Sequence, residues 1–382
     1  MTGNAFSARE VAAALAVGTI AILMIGVQPI LLGELVDAQQ VTLEGVGLVA
    51  MGEIVALGIG VALGDFLMPG TWLRSATIVA GLTAAAFDLL TTRASGDSMM
   101  LAARACAGLA EGLLIWGTTG VVVRSANPGR VSGIFFVAQT IAQSLLGAAL
   151  ANLVIPRTGW QGGFATLAVL SLLSCGLAFL QPAALPSLAS DSQSGFRWTP
   201  TTLQPLVVAF LQLACLGAFW AYLEPLGKAA GLDARAAQTL ISGVLAMQVV
   251  GGSVASFCVR RLGAEQALLS VSVMFIAIMA VVHKLPAGQV AGFGAVCLVL
   301  GFVWLFALPF QIALAFRADP SGRLAGLVPA AQLLGSATGP LTASFFVQGD
   351  NVSAVPLTSA MFAVSAALLL AAMHRRGASA VA

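Results

Sequence analysis

Charge is what this sequence has least of. Of 382 residues 8% are charged and 59% are hydrophobic, whereas a water-soluble domain carries about 25% charged residues. No soluble fold hides so much apolar surface, so the chain belongs in a bilayer. The net charge of +2, with no basic tail, gives no footprint for nucleic acid. Histidine is almost missing: His283 and His374 are the only two. Neither HExxH nor GxSxG occurs, and no GxxxxGK[ST] loop offers a cradle for ATP. The five cysteines, at 106, 175, 215, 258 and 297, stand singly in apolar stretches. They offer neither a disulfide framework nor a metal site. The expectation is a non-enzymatic protein with no cofactor and no metal. The opening MTGNAFSARE has no basic n-region, so the apolar run after it is read as a first membrane span and not a cleaved leader.

What is present is long hydrophobic runs. About 20 apolar residues cross the hydrocarbon core, and twelve stretches qualify: 11–36, 43–66, 72–92, 99–123, 131–154, 162–181, 203–226, 237–259, 265–283, 289–315, 324–347 and 354–373. The longest connector, 182–202, is rich in Pro and Ser and divides the chain into bundles 1–181 and 203–382. With both termini cytoplasmic, eleven basic residues fall on inside connectors and termini and five outside, as the positive-inside rule requires. VALGDFLM at 61–68 and SFCVRRLG at 256–263 close corresponding spans of the two halves. Such weak internal repetition is typical of transporters. The fold class expected is all-α, two pseudo-symmetric six-helix bundles.

Polar residues inside spans carry the functional information, because each must face protein or a wet cavity. At about 1.5 Å per residue, Glu53, Glu111, Gln143, Gln248, Gln332 and Trp304 lie near mid-depth. Gln28, Arg104 and Trp220 lie somewhat outward, and Glu34 and Glu224 nearer the outer ends of spans 1 and 7. Spans 3, 6, 9 and 12 show nothing stronger than Ser, Thr or Cys at mid-depth, Asp88 being placed at a span end. Eight helices around a central cavity with four outer supports is therefore expected. Helical spacing puts Arg104, Gly108, Glu111 and Ile115 on one face, and Gln139, Gln143 and Gly147 on another. The pairs Gly60/Gly64, Gly108/Gly112 and Gly335/Gly339 allow close helix approach.

Arg104 and Glu111 are two helical turns, about 10 Å, apart along the axis. That is too far for a direct pair unless the arginine bends. Each charge then needs a partner on another helix, water or, for the glutamate, a proton. Low-dielectric surroundings and a second carboxylate both disfavour the ionised carboxyl, which suits Glu111 and Glu53 to proton exchange. The alternative is a structural inter-helix bond. Arg104 could bind an anionic substrate, hold a glutamate anionic, or both. Trp220 and Trp304 are either ordinary core residues or walls for a flat apolar substrate. Glu34 and Glu224 are gates or solvated helix ends. Pro29, Pro309 and Pro340 stand where they would kink helices.

Twelve spans in two halves resemble the major facilitator superfamily over nearly the whole chain. RACAGLAEG, Arg104 to Gly112, resembles the fourth-helix pattern R-x-x-x-G-x-x-x-G of drug/proton antiporter-like members, in which the arginine is linked to proton transfer. Residues 61–68 resemble the family's loop G-x-L-x-D-R-x-G. Leu63 and Asp65 match, while Val61, Phe66 and Met68 replace its glycine, arginine and second glycine. Asp65 is thereby assigned a gating role, as is Arg261, which with Gly263 survives in the counterpart after span 8. TGWQGGF, 158–164, is similar to the usual start of the sixth span. Span 5, VAQTIAQSLLG, lacks the proline kink usual in antiporters.

The expected activity is proton-coupled secondary transport of a small, partly apolar organic acid by alternating access in the inner membrane, by a monomer. Glu111, Glu53 and Arg104 would couple the proton. Arg104, Gln28, Gln143, Gln248, Gln332, Trp220 and Trp304 would line the substrate site. The partners are protons, the small-molecule substrate and the lipid bilayer. Multidrug efflux by proton antiport is the first alternative, and a non-transporting receptor or scaffold the second.

Overall fold

A computed structural model describes residues 6–126, 128–186, 199–259, 261–286, 288–319, 323–348 and 351–379. The elements are α1 Ala8–Ala21, α2 Leu23–Asp37, α3 Leu43–Leu67, α4 Leu73–Thr91, α5 Asp97–Val123, α6 Pro128–Ala149 and α7 Ile155–Leu177. They continue with α8 Pro200–Ala221, α9 Leu223–Ala229, α10 Ala234–Cys258, α11 Ala264–Lys284, α12 Val290–Ala318, α13 Arg323–Ser344 and α14 Ala354–Ser379. Among the described residues ten helices are long and apolar enough to cross a bilayer. One of these, Arg130–Leu177, holds 48 residues, about 70 Å of helix against a core of about 30 Å. It is two spans, interrupted at Gly159, whose φ of 66° and ψ of −167° leave the helical region. The glycine of TGWQGGF supplies that conformation without a Cβ clash. With α13, whose run is less apolar, the twelve spans of the sequence are accounted for.

Local signals set the helix ends. Ser7 and Glu10 form a capping box at α1, Asp233 Oδ1 accepts from Ala236 N–H at 2.7 Å to start α10, and Thr199 caps α8 just before Pro200. Two spans are broken where the sequence reading had them continuous. Span 1 divides into α1 and α2 at Ile22 (φ −103°, ψ 2°), and span 7 into α8 and α9 at Tyr222 (φ −104°, ψ 13°). Pro225 stands in the first turn of α9, where no intrahelical N–H is needed, while Pro29 lies inside α2, seven residues past the break. Pro309 and Pro340, expected to kink their spans, lie inside α12 and α13.

The chain divides into two compact units, Met1–Thr42 with Gly52–Asp191, and Leu43–Met51 with Ser192–Ala382. In the first, α3 and α5 meet along glycines. A Cβ on Gly60 would strike the Leu109 carbonyl, one on Gly108 the Glu53 carbonyl, and one on Gly112 the Leu57 carbonyl. In the second, α10 and α12 meet the same way, through Gly251 on the Phe302 carbonyl and Gly301 on the Val244 carbonyl. Spans 2 and 4 therefore repeat as spans 8 and 10. A further seam joins α8 to α13, with Gly335 on the Phe210 carbonyl and Gly339 on the Ala214 carbonyl. Small residues here bring main chains together, which is how helices gain dispersion contact where lipid removes the hydrophobic drive.

Beyond α7 the chain turns back onto the first unit. Leu185 is buried with Leu73, Trp116 and Val121, its N–H donates to the Gly70 carbonyl at 2.9 Å, and Arg124 Nε donates to the Pro186 carbonyl at 2.6 Å. The expected linker 182–202 thus begins, at 182–186, as part of the packed base of this unit. Residues 187–198 lie outside the described ones.

Candidate functional site

In the first unit five helices contribute to a cluster around one guanidinium. Arg104, on α5, is fully buried. Its Nη1 donates to Asp88 Oδ1 on α4 at 2.6 Å. Nη2 donates to Glu53 Oε1 on α3 and stands 3.7 Å from Glu111 Oε1 on its own helix. Gln28 Nε2, on α2, donates to the other Glu53 oxygen at 3.3 Å. Ser171 Oγ, on α7, donates to Asp88 Oδ2 at 3.2 Å. The Phe164 ring of α7 lies 5.3 Å from Arg104 Cζ, within cation–π range. Arg104 Nε and Glu111 Oε2 are buried without a hydrogen bond among the described residues.

Three sequence-derived residues, Glu53, Arg104 and Glu111, are brought together here, and Gln28 joins them. One expectation is resolved and one corrected. The bend that would let Arg104 pair with Glu111 is made, leaving 3.7 Å between Nη2 and Oε1. Asp88 is not a span-end bystander: it is buried and holds one arm of the arginine. Depth counting missed it because Arg104 also lies outward of mid-depth, so the two helices offer these residues at one level. The cluster sets one positive charge against three carboxyl groups. Two uncompensated negative charges in so dry a place are untenable, since each buried unpaired ion costs several kcal/mol.

Gln143 stands apart from the cluster. Its Nε2 donates to the Ile22 carbonyl at 2.7 Å, the residue at which span 1 breaks. Near the C-terminal end of α3 Asp65 is exposed. Its charge acts on Arg124, whose guanidinium is drawn below its usual range by burial and pushed back by Asp65.

In the second unit Trp220 and Trp304 form an edge-on pair, centroids 5.2 Å apart and planes at 81°. Gln248 is buried, with no hydrogen bond to Nε2 among the described residues. Glu224 is also buried, and its Oε1 accepts from Lys228 Nζ at 2.9 Å and Gln238 Nε2 at 3.3 Å, so it is not a solvated helix end. Glu34, on α2, is half-buried, and Arg261 is exposed in the turn after α10. Gln332 donates to Gln311 Oε1 at 2.7 Å, and Gln311 donates to Gln212 Oε1 at 2.8 Å. The sequence reading missed Gln212 and Gln311. Each is a lone amide within an apolar run, LVVAFLQLACLG or FALPFQIALAF, and that isolation was the available signal.

The family model of the Major Facilitator Superfamily matches residues 11–340. The chain belongs to this superfamily. No curated protein sequence matches it significantly. Among solved structures, a bacterial homologue of the human lysosomal transporter Spinster, inward-facing and occupied, superposes with a TM-score of 0.76 at 13% identity, covering 96% of each chain. The nucleoside transporter NupG gives 0.68 at 12% identity, over 95% of this chain and 99% of that one. An unoccupied inward-facing Spinster homologue gives 0.63 at 12%, over 94% of each. At such identities the likeness is one of fold. The superfamily fold and the apolar spans make this an integral, multi-pass membrane protein of a transporter family whose members take small molecules through alternating access.

Proposed function

We propose that this superfamily member is a proton-coupled secondary transporter of a small, partly apolar organic acid, acting as a monomer in the inner membrane with both termini cytoplasmic. The observation that carries the reading is the single guanidinium shared by three carboxyl groups. When Glu53 takes a proton it loses its claim on Arg104 Nη2, while Asp88 still holds Nη1. The released fork faces a choice between Glu111 and the carboxylate of a substrate. When Glu53 gives up its proton it competes again for Nη2 and expels the substrate's carboxylate. Proton and acid then travel in the same direction. Gln28, hydrogen-bonded to Glu53, keeps that carboxyl oriented in both states.

A second reading draws on the same excess of acid. A lipophilic cation, in place of a proton, would settle against Glu111, whose Oε2 is unpaired, and proton antiport would drive efflux. Purified protein in proteoliposomes with an internal pH dye separates the two. Aromatic and aliphatic acids added outside should acidify the lumen of wild-type vesicles, and Glu53→Gln should bind the same acids without moving protons. Proton-linked flux that is intact in Glu53→Gln would sink the assignment. Proton movement evoked by lipophilic cations alone, and lost in Glu111→Gln, would establish efflux instead.

A further inference from the structure

The second unit contains a chain of amides whose sense is dictated at one end. Gln212, on α8, is fully buried and spends both Nε2 hydrogens, on the Leu268 carbonyl at 3.1 Å and Ser272 Oγ at 2.9 Å. A main-chain carbonyl only accepts. Ser272 commits its own hydrogen to that same carbonyl at 3.0 Å, so toward Gln212 it too is an acceptor. Reversing the Gln212 amide would set its oxygen against the Leu268 oxygen. The amide is therefore fixed, and its Oε1 must accept. That forces Gln311 to donate to it, at 2.8 Å, and the Gln311 oxygen then forces Gln332 to donate, at 2.7 Å. Four helices, α11, α8, α12 and α13, hold the sequence Leu268–Gln212–Gln311–Gln332 in a single direction.

The chain ends at Gln332, which is half-buried and whose Oε1 carries no hydrogen bond among the described residues. An amide that donates through its nitrogen becomes a stronger acceptor at its oxygen, and successive amides reinforce one another. A purely structural network would close on itself. This one is closed at Leu268 and open at Gln332.

We infer that the amide chain fixes Gln332 Oε1 as the acceptor for a hydrogen-bond donor on the transported compound: a hydroxyl, an amide or indole N–H, or an ammonium. The inference rests on the transport reading above and adds a second recognition chemistry to it. A carboxylate is repelled from this oxygen, so the part of the compound that meets it is a donor. Gln311 and Gln212 are positioning residues, which act only through Gln332.

Matched probes test this on the full-length protein in detergent. 3-Hydroxybenzoate is compared with 3-methoxybenzoate, and indole-3-acetate with its N-methyl derivative, by thermal shift at pH 5.5 and pH 8. Wild type should bind the donor member of each pair about 3- to 10-fold more tightly, the size of one neutral hydrogen bond. Gln332→Met, which keeps length and loses the acceptor, should bring that ratio to about one with the methylated members unaffected. Gln311→Met should lower the ratio too, though Gln311 touches no ligand, and its own melting temperature reports whether it folds. A ratio near one in wild type, or an unchanged ratio in Gln332→Met, overturns the inference. If acids still bind in a manner lost in Glu53→Gln, the transport reading survives that failure. If no probe binds at either pH, both fall.

Discussion

The Gln143 side chain donates to the Ile22 carbonyl at 2.7 Å, a second hydrogen bond on the N-cap oxygen that opens α2. Room for it comes from Gly26, where an added Cβ would lie 2.7 Å from Gln143 Cβ. Gln143→Leu should remove this hydrogen bond and lower stability by about 0.5–1.5 kcal/mol, read as a drop in melting temperature in detergent. Gly26→Ala alone should destabilise. Adding Gln143→Ala should recover part of the loss, and strict additivity of the two would show that the contact is not made.

Arg104 offers a test of charge. In Arg104→Gln three carboxyl groups remain with no cation, and breaking a buried pair in this way costs about 3–5 kcal/mol. The cost requires ionised carboxylates. The melting deficit relative to wild type should therefore be larger at pH 8 than at pH 5.5, where protonation removes the uncompensated charge. A deficit independent of pH would mean that Arg104 serves only by packing. Arg104→Lys keeps the charge but not the planar fork that reaches Asp88 and Glu53 together, so it should behave nearer to Arg104→Gln than to wild type.

The glycine seam separates packing from propensity. Gly108→Ala places a methyl against the Glu53 carbonyl and should destabilise, although alanine is the better helix former. Gly133, on α6, has nothing within 4 Å of a built Cβ, so Gly133→Ala should be neutral or stabilising by up to about 1 kcal/mol. Equal effects of the two substitutions would refute the close approach of α3 and α5.

At the base of the first unit, Leu185→Ala should cost about 2–4 kcal/mol by emptying its site among Leu73, Trp116 and Val121. Cleavage by added protease between α7 and α8 should begin earlier in that variant. An unchanged cleavage pattern and melting temperature would show that residues 182–186 are not held.

The spans were legible in the sequence because a bilayer imposes one simple demand, a run of about 20 apolar residues. Glu53, Arg104 and Glu111 were legible because charge in such a run requires a reason. Asp88 was not, since sequence gives its depth along α4 but not the depth at which a long arginine on α5 will reach it. The breaks at Ile22 and Tyr222 were hidden as well. A proline announces trouble in a helix but not which residue leaves helical geometry, and Ile22 stands seven residues before Pro29. Gln311 is a lone amide in FALPFQIALAF, and its meaning depends on a carbonyl two helices distant.

Glu53 has its own main-chain oxygen pressed against Gly108, while its side chain reaches Arg104 and Gln28. The backbone of this acid is thus held close against α5, in the seam that Gly60, Gly108 and Gly112 make. In the proposed coupling, gain or loss of a proton at Glu53 is not expressed by parting these helices. It has to appear as a turn of the side chain about its own bonds, and any larger movement of the protein must begin with the partners that such a rotation lets go.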